Sequence, residues 1–328
     1  MQRVTIVSPA LADANNGNWQ TAMRWARFLT PRYDVNIAAS WSPVTGATPD
    51  LMIALHARRS AAALAAFAAD HPDSPRILVL TGTDLYRDIH HDPAAQASLD
   101  RAHVLVLLQE AGMAALKPEH RAKARVIWQS APSLPHVPPL PGSQEFSFCM
   151  VGHLRPEKDP LTFMRAAQLV THQGARFIHI GGALDPHLAT SAEATAAADP
   201  RYQWMGNLAH DAARMALSCS RVMVIASLME GGANVIIEAV TSGVPVLASD
   251  IDGNRGMLGD DYEGYFPVGD APALAALMER TISDPGFLDR LRFQCDARAA
   301  LFAPEAEQAA VLDMVDNLLS HQFKTESP

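Results

Sequence analysis

The chain has 328 residues, 48% of them hydrophobic, with 26 Lys and Arg against 35 Asp and Glu. That length exceeds the usual size of one hydrophobic core, so two domains are expected, and no run approaches the roughly 18 apolar residues that span a bilayer. A net charge of −9 without a basic stripe argues against nucleic acid as a partner, and Cys149, Cys219 and Cys295 are too widely spaced for metal ligation and fit reduced thiols in a cytoplasmic protein.

The N-terminus, Met1-Gln2-Arg3-Val4-Thr5-Ile6-Val7, reads as an opening strand and lacks the features of a signal peptide. From there short apolar runs alternate with Ala-rich helical segments, the pattern of βα units around a parallel sheet. Strands are predicted at 4–7, 35–39, 51–55, 77–80, 104–108 and 125–127, with helices at 19–29, 60–69 and about 94–101. A proline-dense stretch, Ala131 to Gly142, can continue neither a helix nor a central strand and reads as a linker. A second series follows, with strands at 146–151, 176–180, 202–204, 222–225 and 244–248 and helices at 161–171, 211–218 and 233–241. Apolar residues at helical spacing over 305–322 predict a closing helix. The expected division is a domain at 1–135, a linker at 136–145, a domain at 146–304, and a closing helix and tail at 305–328. Residues 1–140 carry 13 Lys and Arg against 11 Asp and Glu, and the remainder 13 against 24. A mildly positive first half suits an anionic ligand, and equally suits ordinary surface variation.

In doubly wound sheets a ligand binds outside the carboxyl ends of the strands. The sharpest signal there is Ser227-Leu228-Met229-Glu230-Gly231-Gly232-Ala233-Asn234-Val235-Ile236-Ile237-Glu238. A strand ends, the chain turns through two glycines, and a helix begins. Such a junction offers free backbone N–H groups and the positive helix end to a diphosphate, and glycines let a ligand approach closely. Glu230 and Glu238 flank the cradle, and a carboxylate beside a phosphate site is suited to accept hydrogen bonds from a vicinal diol. A cradle with two diol readers describes a nucleotide sugar. Upstream, Gly152-His153-Leu154-Arg155-Pro156-Glu157-Lys158 ends another strand and offers two cations to a leaving diphosphate, which gains negative charge as its bond breaks.

Glu230-x7-Glu238, in its Gly-Gly setting, resembles the E-x7-E signature of glycosyltransferase family 4, and the Gly152–Lys158 stretch resembles that family's G-x-L-x-x-x-K segment. The resemblance implies a GT-B fold: α/β, with two doubly wound Rossmann-like domains facing across a cleft. It also implies a C-terminal nucleotide-sugar domain in which Arg155 and Lys158 hold the diphosphate, Glu230 the donor hexose and Glu238 the ribose. Gly152, Gly231, Gly232, Ala233 and Asn234 would complete the donor site, with Asn207 and Leu208 near the base. Arg155, Lys158, Glu230 and a helper, His56, are the expected catalytic residues.

The first domain is expected to bind the acceptor. Asn15-Asn16-Gly17-Asn18 follows the first strand, where N–H groups could hold an anion or an Asn could cap a turn. Asn16, Gly17 and Asn18 are candidates, as are His56, Arg58 and Arg59 at the exit of the 51–55 strand. Either arginine could instead pair with a surface Asp. Thr81-Gly82-Thr83-Asp84 follows the 77–80 strand and resembles the family's G-T/S-D segment. Asp250-Ile251-Asp252 matches the D-x-D of metal-dependent transferases of the other fold but reads as a loop, and His90-His91 reads as exposed. Gly181-Gly182 has no G-x-G-x-x-G, which removes the dehydrogenase reading. No metal or other cofactor is expected.

Several stretches resemble a narrower group, the selenosugar synthases of selenoneine biosynthesis: Leu55 to Ser60, Leu80 to Asp88, His153 to Pro160, Met229 to Val235 and Gly264 to Asp270. That likeness implies transfer of a sugar from a UDP-sugar, UDP-N-acetylglucosamine or UDP-glucose, to selenophosphate, with formation of a carbon–selenium bond. A small, already ionised nucleophile suits a cation-lined site without a strong general base, and no basic amphipathic helix suggests a membrane acceptor. The alternatives are a cytosolic family 4 hexosyltransferase acting on a hydroxyl, and a silent nucleotide-sugar-binding protein.

Overall fold

A computed structural model describes residues 1–9, 17–42, 48–135 and 145–325, with side chains through residue 320. The expected linker, 136–145, therefore lies almost wholly outside the described residues, as does Asn16. The chain forms two compact units. The first comprises Met1–Gln129, Glu230–Gly232 and the segment from Ala303 onward; the second comprises Ser130–Met229 and Ala233–Phe302.

The first unit is built on six parallel strands, β1 (Arg3–Val7), β2 (Asp34–Ala38), β3 (Leu51–Leu55), β4 (Arg76–Val79), β5 (Val104–Leu107) and β6 (Ala124–Val126), in the order β2-β1-β3-β4-β5-β6. Strand side chains alternate between faces, and here both faces are covered. Leu51, Ile53 and Leu55 pack with Ile77, Val79 and Trp25 on one side, while Met52, Ala54, Leu78 and Phe67 pack on the other. Double coverage is why the central strands read as unbroken apolar runs. The last helix, Pro304–Thr325, closes one face of this first unit through Val311, Met314 and Val315. Its Glu307, 2% exposed, accepts hydrogen bonds from Trp25 Nε1 and Arg24 Nε, both at 2.7 Å.

The second unit repeats the plan with β7 (Phe146–Val151), β8 (Ala175–Ile180), β9 (Tyr202–Trp204), β10 (Val222–Ile225), β11 (Val246–Ser249) and β12 (Tyr265–Phe266), ordered β12-β11-β10-β7-β8-β9. β11 begins two residues later than the predicted 244. Pro245 precedes it, has no N–H for a ladder, and serves only as acceptor for Met223 N. β12 is two residues long, too short for a periodicity to register. Three helices that apolar spacing did not reveal, Pro186–Ala198, Ala271–Ser283 and Pro285–Ala299, each start on an Asp whose carboxylate caps backbone N–H groups, followed within two residues by proline. Asp252 opens a helix, Asp252–Leu258, rather than lying in a loop, while Asp250 is held by Arg255 at 2.5 and 2.9 Å. His90 and His91 are exposed, as expected. Among the described residues no helix is long and apolar enough to cross a membrane.

The strand orders fix where ligands can be received. Connections reverse direction between β1 and β3 in the first sheet and between β7 and β10 in the second. The crevices at such switch points are the ligand sites of open α/β sheets. The motifs at 56–59, 152–158 and 227–238 follow β3, β7 and β10, Thr81-Gly82-Thr83-Asp84 follows β4, and Asn207-Leu208 follows β9.

Candidate functional site

In the second unit, the β7 exit is shaped by close backbone contacts. A Cβ on Gly181 would lie 2.0 Å from Gly152 O, and one on Gly182 3.3 Å from Asn207 Cβ. Gly181 holds φ +154°, donates to Gly206 O at 2.8 Å, and accepts from Trp204 Nε1 at 2.8 Å. The exits of β7, β8 and β9 are thereby drawn together, bringing Gly152, His153 and Asn207 into one place. Gly181-Gly182 is thus a packing element of this site, a role the missing dinucleotide fingerprint gave no hint of. His153 Nδ1 accepts from Gly182 N at 3.0 Å. His179, beneath, accepts or donates to Tyr202 Oη at 2.9 Å and lies 3.3 Å from Gly152 O; burial drives its pKa down to about 4.

Arg155 and Lys158 flank a single 3-10 turn, Pro156–Lys158, closed by Lys158 N donating to Arg155 O at 3.0 Å. The stem of Lys158 lies over Gly152, whose would-be Cβ would meet Lys158 Cγ and Cδ at 3.6 Å. Arg155 Nε is buried and has no hydrogen-bond partner among the described residues. A buried guanidinium N–H without a partner is costly unless a ligand supplies the acceptor. Asp159 adopts φ +42°, accepts from Thr162 Oγ1 at 2.6 Å, and turns the chain into the helix Pro160–Leu169. Leu228 N donates to Glu157 O at 2.9 Å, which ties the loop after β10 to this turn.

Ala233 is buried, and the helix begins one residue later than predicted, at Asn234–Thr241. Glu238 sits in its second turn, 7% exposed, among buried Ile236, Ile237, Ala239 and Val240. Its Oε1 is 2.8 Å from His210 Nε2. His210 was not foreseen; it opens the helix His210–Ser218, just beyond Asn207 and Leu208. Nothing in the sequence between them, a separation of 28 positions, marks the two as partners.

Glu230, Gly231 and Gly232 belong to the first unit. A Cβ on Gly231 would fall 2.6 Å from Gly82 N and Thr81 C, and one on Gly232 2.5 Å from Leu108 Cβ. The two glycines are therefore required by packing against Thr81-Gly82 and Leu108. Close approach of a ligand, the reason expected for them, is not needed to explain them.

At the β3 exit the expected acceptor residues form an internal network. His56 holds φ +72°, a left-handed conformation uncommon outside glycine, with its side chain 3% exposed. Its Nε2 lies 3.1 Å from Thr83 Oγ1, and Arg59 N donates to its Nδ1 at 3.4 Å. Burial, the largest influence, lowers its pKa below 6.5 against the opposing pull of Asp84. His56 is thus a neutral, enclosed imidazole, and the expected role as a helper presented to substrate has almost no exposed surface behind it. Asp84, fully buried, is likewise no ligand contact. Its carboxylate accepts from Ala57 N at 2.8 Å and from Thr81 N and Gly82 N at 2.9 Å. It shapes the loop instead, at the start of a π-helical turn, Asp84–Asp88. Arg58 Nε pairs with Asp88 at 2.8 Å, the alternative left open above, and this holds Asp88 below the usual carboxylate range despite its burial. Arg59 is exposed and makes no ion pair among the described residues. Gly17 and Asn18 are the first residues of the helix Gly17–Leu29, with Gly17 O accepting from Thr21 Oγ1.

Two parallel six-stranded sheets covered by helices, with these motifs at their switch points, define the GT-B fold. The second unit goes further: residues 145–284 match the family model described as glycosyl transferases group 1. Among solved structures the chain resembles sucrose-phosphate synthase from Thermosynechococcus elongatus (TM-score 0.78, 16% identity, 98% of this chain and 100% of that one). It also resembles Anabaena HepE in complex with UDP (0.75, 15%, 97% and 100%), and the pneumococcal O-GlcNAc transferase GtfA with UDP and GlcNAc (0.64, 18%, 82% and 57%). A curated relative, the Escherichia coli UDP-Gal:alpha-D-GlcNAc-diphosphoundecaprenol alpha-1,3-galactosyltransferase, is 31% identical over 125 residues. That match covers 37% of this chain and 32% of the relative's length, so the chain spans about a third of it.

Proposed function

We propose that this chain is a glycosyltransferase that moves a sugar from a UDP-sugar, UDP-N-acetylglucosamine or UDP-glucose, to selenophosphate. The selenium attacks the anomeric carbon, the bond from that carbon to the diphosphate oxygen breaks, and UDP leaves with the electron pair. The observation that carries the donor half is the β7 turn, where Arg155, with a buried and unpartnered Nε, and Lys158 stand three residues apart in the matched segment. Fixed cations there stabilise the charge that develops on the leaving diphosphate. Glu238 and Glu230 read the hydroxyls of ribose and hexose. The likeness to HepE in complex with UDP and to GtfA in complex with UDP and GlcNAc supports a uridine nucleotide.

The acceptor half rests on the stretch-by-stretch likeness to selenosugar synthases, which supports selenoneine biosynthesis as its setting; the cytoplasm is the proposed location. Cations supply what a metal supplies in other transferases, so no metal is required. A hydroxyl acceptor is the second reading, favoured by the activity in the name of the E. coli relative. One experiment separates them. Purified protein, treated with EDTA, is given each UDP-sugar with selenophosphate or with a panel of sugar and metabolite hydroxyls, and products are read by mass spectrometry. A selenium-bearing sugar and UDP are expected. A glycosylated hydroxyl with no selenium product leaves only the transferase, and turnover that returns solely with Mg²⁺ or Mn²⁺ removes metal independence.

A further inference from the structure

Glu238 is a carboxylate in an apolar setting, on a helix of eight residues whose neighbouring positions are core. A charge so placed needs a partner. Among the described residues its carboxylate has one contact, His210 Nε2 at 2.8 Å from Oε1, and none at Oε2. His210 comes from a different helix, and its side chain is 37% exposed against 9% for Glu238. Its Nδ1 faces Asp211 Oδ1 at 3.9 Å. This arrangement orients the carboxylate: Nε2–H holds Oε1, which fixes the plane of the group and leaves Oε2 to accept from a ligand hydroxyl.

We infer that His210 is a positioning residue for a hydroxyl-reading Glu238, and that the pair makes the site discriminate ribonucleotides from their 2′-deoxy counterparts. The inference rests on the UDP-sugar reading above. Without the imidazole, the carboxylate loses one charge-assisted hydrogen bond and its fixed orientation, and the hydroxyls of the ribose lose a preorganised acceptor. A ligand lacking one of those hydroxyls has less to lose. Shape also predicts which replacement rescues. A glutamine amide nitrogen reaches about where Nε2 stands, whereas an asparagine amide nitrogen reaches only as far as Nδ1.

The test is calorimetric titration of UDP and of 2′-deoxy-UDP into the wild-type chain and into His210→Ala, His210→Gln and His210→Asn, with thermal melting of each as a fold control. Wild type is expected to prefer UDP. His210→Ala should weaken UDP about tenfold, the scale of one charge-assisted hydrogen bond, and 2′-deoxy-UDP less than about threefold, so that the preference shrinks. His210→Gln should restore most of it and His210→Asn little. Adding Glu238→Gln to His210→Ala should cost little more, since the two act as one unit. Equal loss for both nucleotides, unchanged UDP binding in a folded His210→Ala, or equal rescue by Gln and Asn would overturn the pairing. A wild-type chain that binds neither nucleotide would instead overturn the UDP-sugar reading.

Discussion

Replacing Asp84 by Asn separates a loop-shaping carboxylate from a ligand-binding one. The side chain is fully buried, with Oδ2 accepting from Ala57 N and Oδ1 from Thr81 N and Gly82 N. Asparagine is nearly isosteric but has one acceptor. With its oxygen at the Oδ1 position it keeps the Thr81 and Gly82 contacts, weakened by the loss of charge, and turns its NH₂ toward the Ala57 N–H. The cost combines a lost charge-assisted bond, about 1.5–3 kcal/mol, with a buried donor left unsatisfied, about 1–3 kcal/mol. A total of about 3–5 kcal/mol is expected, because the two contributions overlap. For a unit of this size that lowers Tm by about 10 °C. Tryptophan fluorescence is a suitable probe: Trp19, Trp25, Trp41 and Trp128 lie in the first unit and Trp204 alone in the second. If Asp84→Asn melts with the wild type while the KM for acceptor rises sharply, the carboxylate serves the ligand and the structural reading is wrong.

Lys158→Ala is expected to lower turnover by about 10²–10³, the scale for losing one preorganised donor to developing charge, with Tm unchanged; near-native turnover would remove its role. His179 has its folded pKa depressed to about 4 by burial, against 6.5 when exposed. The unfolded chain therefore binds the proton first, and stability present above pH 6.5 is lost as pH falls toward 4, by up to about 1.4 kcal/mol per pH unit. Urea midpoints for His179→Gln should fall less steeply across that window, and parallel slopes would refute the assignment. Arg59→Ala should raise the KM for selenophosphate more than Arg58→Ala, because the Arg58 guanidinium is already committed to Asp88; the reverse order in acceptor kinetics would place the anion elsewhere.

Much of the fold was legible because both sheets are covered on two faces. Leu51-Met52-Ile53-Ala54-Leu55 is apolar throughout because its alternate residues enter different cores. β7, β9 and β10 were legible to the residue, since a glycine, a short polar turn or a following loop ends each apolar run. The three helices starting at Pro186, Ala271 and Pro285 were signalled by Asp and Pro at their starts rather than by apolar spacing, which is the weaker cue when a helix is as Ala-rich as Pro186–Ala198.

The candidate site was legible to the degree that its chemistry is local. Arg155 and Lys158 share one turn, so their spacing carries meaning in the sequence itself. Glu238 could be picked out by its distance from Glu230, but its partner could not, because His210 reaches it only through the packing of two helices. The β3 exit shows the converse. His56, Arg58, Thr83 and Asp84 looked like a set of ligand groups because they are polar residues at strand ends. Folding turns the same groups on one another and on Asp88: the strained backbone at His56 buries the ring, Thr83 meets it, and Asp84 is consumed by three backbone N–H groups. Polar residues at a switch point can shape a loop or meet a ligand, and sequence pattern does not distinguish the two. What does is whether each hydrogen-bonding atom already has a partner. By that measure, among the described residues, Arg155 Nε and Glu238 Oε2 are the unpartnered atoms on which the proposed donor site rests, and the exposed guanidinium of Arg59 is the β3-exit group on which the proposed acceptor site rests.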